Sequence, residues 1–198
     1  MISRGISLTT LLLVALLAGC TVAPRQPPPV EAPWEARRSE LQARDTFELR
    51  GRVAVVAGEE GFNARLRWEQ AGAQSSVALD GPLGVGGVRV TADDQTFSII
   101  TSRGEQLNSE AARAELATRL GFEPPLSSLR YWILGVPDPA YPAEEILDDQ
   151  QRLTTLRQDG WQIDYERYAA AQGQWLPSRL TLTRGDVRVR LLVDAWES

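Results

Sequence analysis

The residues best suited to acid–base chemistry are two adjacent aspartate pairs, Asp93-Asp94 and Asp148-Asp149. Both pairs fall in hydrophilic stretches between apolar runs, where aspartates cap turns and stay solvated, so they read as turn acids. Other chemistries are excluded by missing residue types. The chain has no histidine, and all 21 of its basic residues are arginine. That removes Ser-His-Asp and Cys-His catalysis, histidine-ligated metal, Schiff-base lysine and a phosphate-cradling lysine. No Gly-x-Ser-x-Gly elbow occurs. A single cysteine, Cys20, allows no internal disulfide, redox pair or metal cluster. The chain therefore reads as a protein that is not an enzyme and uses no cofactor or metal.

Cys20 has a different use. Arg4, the apolar run from Leu11 to Leu17 and the small residues after it follow the plan of a bacterial export signal. The run is shorter than the roughly 20 apolar residues that span a bilayer. It ends in Leu17-Ala18-Gly19-Cys20, which resembles the lipobox of bacterial lipoproteins. The resemblance implies cleavage before Cys20 and a covalent N-acyl and S-diacylglycerol lipid on it. Removing residues 1–19 takes away Arg4 and no acid, so the formal charge moves from −5 to −6. An acidic exported chain is a poor match for nucleic acid. In lipoproteins of the enterobacterial type an aspartate after the anchor cysteine retains the protein in the inner membrane; Thr21 stands there instead, which by that resemblance points to the outer membrane.

Residues 20–33 form the anchor and a tether. Pro24, Pro27, Pro28, Pro29 and Pro33 favour extended polyproline II, about 3.1 Å per residue, giving a reach of roughly 40 Å. Residues 34–198 then read as one domain. Trp34 to Arg44 is rich in helix formers. After it the period changes to two: Leu49, Gly51, Val53 and Val55 alternate with Arg50, Arg52 and Ala54, and Ala64, Leu66 and Trp68 alternate with Arg65, Arg67 and Glu69. Val77 and Leu79, Val88 and Val90, Phe97 and Ile99, then Trp161, Ile163 and Tyr165, Leu180 and Leu182, and Val187 to Val193 continue the pattern.

At least eight strands in meander order result, interrupted by helices over Glu110 to Leu120 and Ser127 to Leu134. Arg184-Gly185-Asp186 reads as a hairpin turn rather than an adhesion motif, with glycine taking the awkward dihedrals. The fold class is α+β, predominantly antiparallel β: one sheet curled into an open, incomplete barrel and covered by helices. The period leaves open whether the apolar faces fill a solid core or line a cavity. A filled core would suit a different kind of protein, a lipoprotein scaffold or assembly factor that binds through an edge strand.

Beyond the lipobox and Trp34, the segments Arg50-Gly51-Arg52-Val53-Ala54-Val55, Trp68-Glu69-Gln70 and Gly81-Pro82-Leu83-Gly84 resemble the LolB family. So do Leu129-Arg130-Tyr131-Trp132-Ile133-Leu134-Gly135-Val136-Pro137, Gln158-Asp159-Gly160-Trp161 to Tyr165, Leu176-Pro177 and the closing strand to Trp196. The stretch from Pro137 to Leu147 departs from the pattern.

The resemblance implies an unclosed half-barrel with a hydrophobic cavity under a helical lid. It also implies a monomeric outer-membrane receptor, facing the periplasm, that accepts acylated cargo lipoproteins from the carrier LolA and passes them to outer-membrane lipid. On that basis Val53, Val55, Leu66, Trp68, Leu79, Val90 and Trp132 are candidate acyl-chain cavity residues, Trp132 from the lid. The glycine-rich loop carrying Pro82, Leu83 and Gly84 becomes the candidate membrane-insertion loop, with Leu83 at its tip. An exposed leucine entering lipid gains roughly 1.5–3 kcal/mol, enough for brief contact but not for permanent insertion. The acidic mature chain would steer a basic carrier mouth.

Overall fold

Alternation of apolar and arginine-bearing positions becomes a curved sheet with one buried and one wet face. The computed structural model describes residues 32–81, 87–93 and 95–197. Cys20, most of the tether and Pro82, Leu83 and Gly84 lie outside the described residues. A first helix, α1 (Trp34–Gln42), leads into six strands: β1 (Thr46–Ala57), β2 (Glu60–Ala71), β3 (Gln74–Asp80), β4 (Val88–Ala92), β5 (Phe97–Thr101) and β6 (Gln106–Asn108). Two helices follow, α2 (Ser109–Leu120) and α3 (Leu126–Trp132). Five strands complete the chain: β7 (Ala143–Leu147), β8 (Leu153–Gln158), β9 (Trp161–Ala171), β10 (Gln174–Arg184) and β11 (Val187–Glu197). No helix among the described residues is long and apolar enough to cross a membrane.

The eleven strands among the described residues form one antiparallel sheet in the order β6-β5-β4-β3-β2-β1-β11-β10-β9-β8-β7. The expected meander is therefore two meanders, β1 to β6 and β7 to β11, fused where the first strand pairs with the last. Val53 lies opposite Leu191 and Val55 opposite Val189 across that seam. The outer strands β6 and β7 do not pair with each other, so the barrel is open, and the link containing α2 and α3 runs between them. The seam also explains Gly51. A Cβ there would collide with the Leu192 carbonyl oxygen, beside the register shift between Arg50 and Gly51.

The hairpin tips follow turn chemistry. Asp159-Gly160 and Gln172-Gly173 have positive φ at both positions, the requirement of a type I′ turn, and Gly185 has φ +60° between β10 and β11. Arg50, Arg52, Arg65 and Arg67 stand on the outer face. Cross-strand register sets Arg50 opposite Arg67 and Arg52 opposite Arg65, which is repulsive by itself. Acids interleave: Glu48 meets Arg67 at 3.0 Å, Glu197 meets Arg50 at 2.8 Å, and Asp194 meets Arg52 at 2.8 Å. The acidic balance of the whole chain thus does not describe this face.

Three of the aspartates expected in turns, Asp93, Asp148 and Asp149, stand in turns. Asp93 Oδ1 accepts from the backbone N–H groups of Gln95 and Thr96, which hold its carboxyl below the usual range. Asp94 is outside the described residues. Burial would raise the Asp148 carboxyl, but the side chain and backbone N–H of Arg152, together with the Gln150 N–H, outweigh it and keep it low.

Helix α1 docks on the second meander. The indole N–H of Trp34 donates to Glu145 Oε2 at 2.6 Å, and Arg38 pairs with the same carboxylate at 2.8 Å. Arg37 is buried and donates to the carbonyls of Gln151 and Trp175, with its guanidinium over the Tyr168 ring. The stretch from Pro137 to Leu147 now has a shape. Pro137 and Asp138 are buried, the chain turns through Asp138 to Tyr141, and β7 follows as an edge strand.

Candidate functional site

Between the lid and the inner face of the sheet lies a cavity of about 100 Å³ lined wholly by aliphatic, aromatic and proline side chains. Strand periodicity supplies one wall. Val53 and Val55 of β1, Leu66 and Trp68 of β2, Leu79 of β3 and Val90 of β4 all line it. They meet there because alternate residues of neighbouring antiparallel strands share a face: Leu66 stands opposite Leu79, and Trp68 opposite Val77. The other wall is Trp161, Leu182, Val189 and Leu191 of β9, β10 and β11.

The cover comes from the helical link. Leu116 and Leu120 are one turn apart on α2, Phe122, Pro124 and Pro125 follow, and Leu126, Leu129 and Ile133 project from α3 and its end. Spacings of four, and of three then four, place each helical set on one face. These lid residues were missed as cavity candidates, although that helical spacing was available as a signal.

Trp132 requires a correction. It belongs to the lid helix but does not line the cavity. It is fully buried, with its ring 6.2 Å from that of Trp161 and its indole N–H donating to Gln158 Oε1 at 2.7 Å. Gln158 also accepts from the Asp138 N–H and donates to the carbonyls of Asp138 and Tyr141. Ser128 Oγ donates to Asp138 Oδ2 at 2.7 Å, and Tyr165 Oη donates to the Trp132 carbonyl at 2.9 Å. This buried knot fixes the carboxyl-terminal end of α3. The helix stops there because Leu134 and Gly135 bond to carbonyls three residues back, tightening the last turn.

Outside the cavity, an open polar cleft of about 650 Å³ is bordered by Arg113, Glu123, Arg130, Asp159 and Arg184, and it shares Pro124, Pro125 and Leu126 with the apolar cavity. A chain with an apolar tail and a polar head therefore has adjoining environments for both. At about 100 Å³ the apolar space is smaller than the roughly 150 Å³ cavity that accommodates a benzene-sized molecule. A long hydrocarbon chain enters only if the cover moves outward. The question of a filled core or a cavity thus has a mixed answer. Residues such as Leu41, Leu49, Leu153 and Leu176 pack solidly, while the space under the lid stays partly open.

Comparisons with known proteins agree with this geometry. Two solved structures share the fold alone: a LolA superfamily protein from Nitrosomonas europaea and a DUF1329 family protein from Desulfovibrio piger. The first has a TM-score of 0.53 at 9% identity, covering 84% of this chain and 93% of that one. The second has a TM-score of 0.52 at 10% identity, covering 86% and 93%. Two relatives named outer-membrane lipoprotein LolB are much closer in sequence. The one from Nitrosococcus oceani is 36% identical over 191 residues, 94% of each chain. The one from Pseudomonas aeruginosa is 34% identical over 164 residues, 83% of this chain and 80% of the relative. The family model described as outer membrane lipoprotein LolB matches residues 45–196, and the chain belongs to the LolB family.

Proposed function

We propose that this chain is an outer-membrane receptor in lipoprotein sorting that takes the acyl chains of cargo lipoproteins from the periplasmic carrier LolA and delivers them to the membrane. The observation that carries the reading is the wholly apolar cavity under a helical cover. Each methylene taken out of water gains about 0.8 kcal/mol, so a long acyl chain gains on the order of 10 kcal/mol, offset by the work of lifting the lid. Transfer needs no nucleotide: cargo moves from one apolar environment to the next where burial is better.

The same reading keeps Cys20 as the lipid-bearing anchor and the tether as a spacer that lets the domain face the periplasm. Leu83, between β3 and β4, is the membrane-touching residue of that account, flanked by Pro82 and Gly84. Replacing Leu83 with glutamate leaves cargo acceptance intact and slows release into liposomes. Equal losses in acceptance and release contradict that role.

The test of the whole reading is a transfer assay. An acylated lipoprotein is loaded on the carrier, the unacylated Cys20→Ala chain is added, and the cargo is followed by co-purification. Cargo moves to this chain if the reading is right. Cargo that stays wholly on the carrier removes it.

A further inference from the structure

The buried tryptophans differ in one respect. Trp34, Trp68 and Trp132 each donate their indole N–H to a side-chain oxygen, of Glu145, Gln70 and Gln158 respectively. Trp161 is only 2% exposed, yet its Nε1 finds no hydrogen-bond partner among the described residues. A buried donor with no acceptor is costly and uncommon, so an orphan of this kind calls for an explanation. Trp68 and Trp161 both sit in the wall of the cavity, but only the Trp68 indole has its acceptor, Gln70.

Its surroundings define the missing acceptor. Trp161 begins β9 directly after the tight Asp159-Gly160 turn, and Phe122 of the lid packs on its ring at 5.7 Å. It also borders a polar groove of about 520 Å³ that includes Asp159, Gln162, Thr183 and Arg184. The Arg184 guanidinium stands 4.5 Å from the ring centroid. The indole therefore marks the boundary between the apolar interior and a charged surface. A ligand crossing that boundary is an amphiphile, apolar under the lid and polar in the groove. An anionic acceptor would be expensive to bury in an apolar wall, whereas a neutral carbonyl is not once it is hydrogen-bonded.

We propose that Trp161 Nε1 donates a hydrogen bond to the carbonyl oxygen joining an acyl chain to its polar head, with the chain under the lid and the head toward Arg184 and Asp159. This deepens, and rests on, the reading of the cavity as an acyl-chain site. It makes Trp161 the residue that sets depth: the chain enters until its ester or amide carbonyl reaches the indole.

The test uses two probes that differ only in the carbonyl, monopalmitoylglycerol and its ether analogue hexadecylglycerol, titrated into the unacylated Cys20→Ala chain. Trp161→Phe weakens binding of the ester roughly five- to tenfold and leaves the ether within about twofold. In the parent chain, the Trp161 indole N–H resonance moves downfield on adding the ester and not on adding the ether. That readout stands even if the phenylalanine variant folds poorly. Equal weakening of both probes, or an indole resonance that responds to both alike, overturns the proposal. If the parent chain binds neither probe, the acyl-chain reading itself fails.

Discussion

The two ends of the lid are built differently. At its carboxyl-terminal end, Trp132, Asp138, Gln158 and Tyr165 are buried and joined by hydrogen bonds that leave Gln158 with partners on both its oxygen and its nitrogen. At the other end, Leu120, Phe122, Pro124, Pro125 and Leu126 are only partly buried and offer the cavity nothing but apolar surface. Hydrogen-bonded contacts demand particular geometry and resist displacement, while apolar contacts can be exchanged for others of the same kind. The contrast implies a hinge: the knot, Ser128 included, holds while the segment from about residue 120 to residue 126 lifts. An incoming hydrocarbon replaces the contacts it breaks.

The largest way to break the contrast is Gln158→Leu. It leaves the Trp132 indole and the Asp138 N–H buried without their acceptor and should cost about 3 kcal/mol in urea unfolding. A loss below about 1 kcal/mol would mean that the knot holds nothing. Alkaline stability comes next. Burial raises the Tyr165 phenol well above its ordinary value, with the neighbouring Tyr168 adding to it, and burial likewise raises Tyr168 despite Arg37 and Arg152 nearby. Folding therefore favours the neutral phenols. That stabilisation is complete below the unfolded tyrosine pKa of about 10 and drains away as the pH climbs toward the raised folded values. No lysine titrates in the same window. The urea midpoint should fall above about pH 10, and Tyr165→Phe should flatten that fall.

Trp132→Phe should cost less, about 1–2 kcal/mol, because Gln158 Oε1 keeps the Asp138 N–H. The smallest stability effect belongs to the far end of the lid. Leu126→Ala removes half-buried surface and should cost about 1 kcal/mol or less, yet weaken binding of monopalmitoylglycerol severalfold. The pair sharpens the comparison by separating stability from binding. If Leu126→Ala destabilised more than Gln158→Leu, the two ends would have to be exchanged in the account.

Much of the sheet was legible in the sequence because period-two alternation survives wherever one face is buried and the other carries charge, as along β1 and β2. The second half was harder. In β8 the buried leucines are Leu153 and Leu156, three apart, next to a register shift between Ile146 and Leu147, so no alternation marks the strand. Three-residue β6 is too short to show a period at all. At the cavity, the strand residues Val53, Val55, Leu66, Trp68, Leu79 and Val90 come together as strand geometry requires. Trp132 does not join them. Distance along a lid helix does not reveal which end is pinned, and the partner that pins it, Gln158, is 26 residues away. A buried glutamine reads in sequence as an ordinary surface residue.

The central claim is that an acyl chain lies between the lid and the inner face of the half-barrel. The most direct measurement is anomalous diffraction from crystals of the unacylated chain bound to a monoacylglycerol brominated at its terminal carbon. The account predicts a bromine peak among Val53, Leu66, Trp68 and Val90, with the lid displaced and the contacts of Gln158 intact. A peak on the outer face of the sheet, or in the polar cleft beside Arg113 and Arg130, would contradict it.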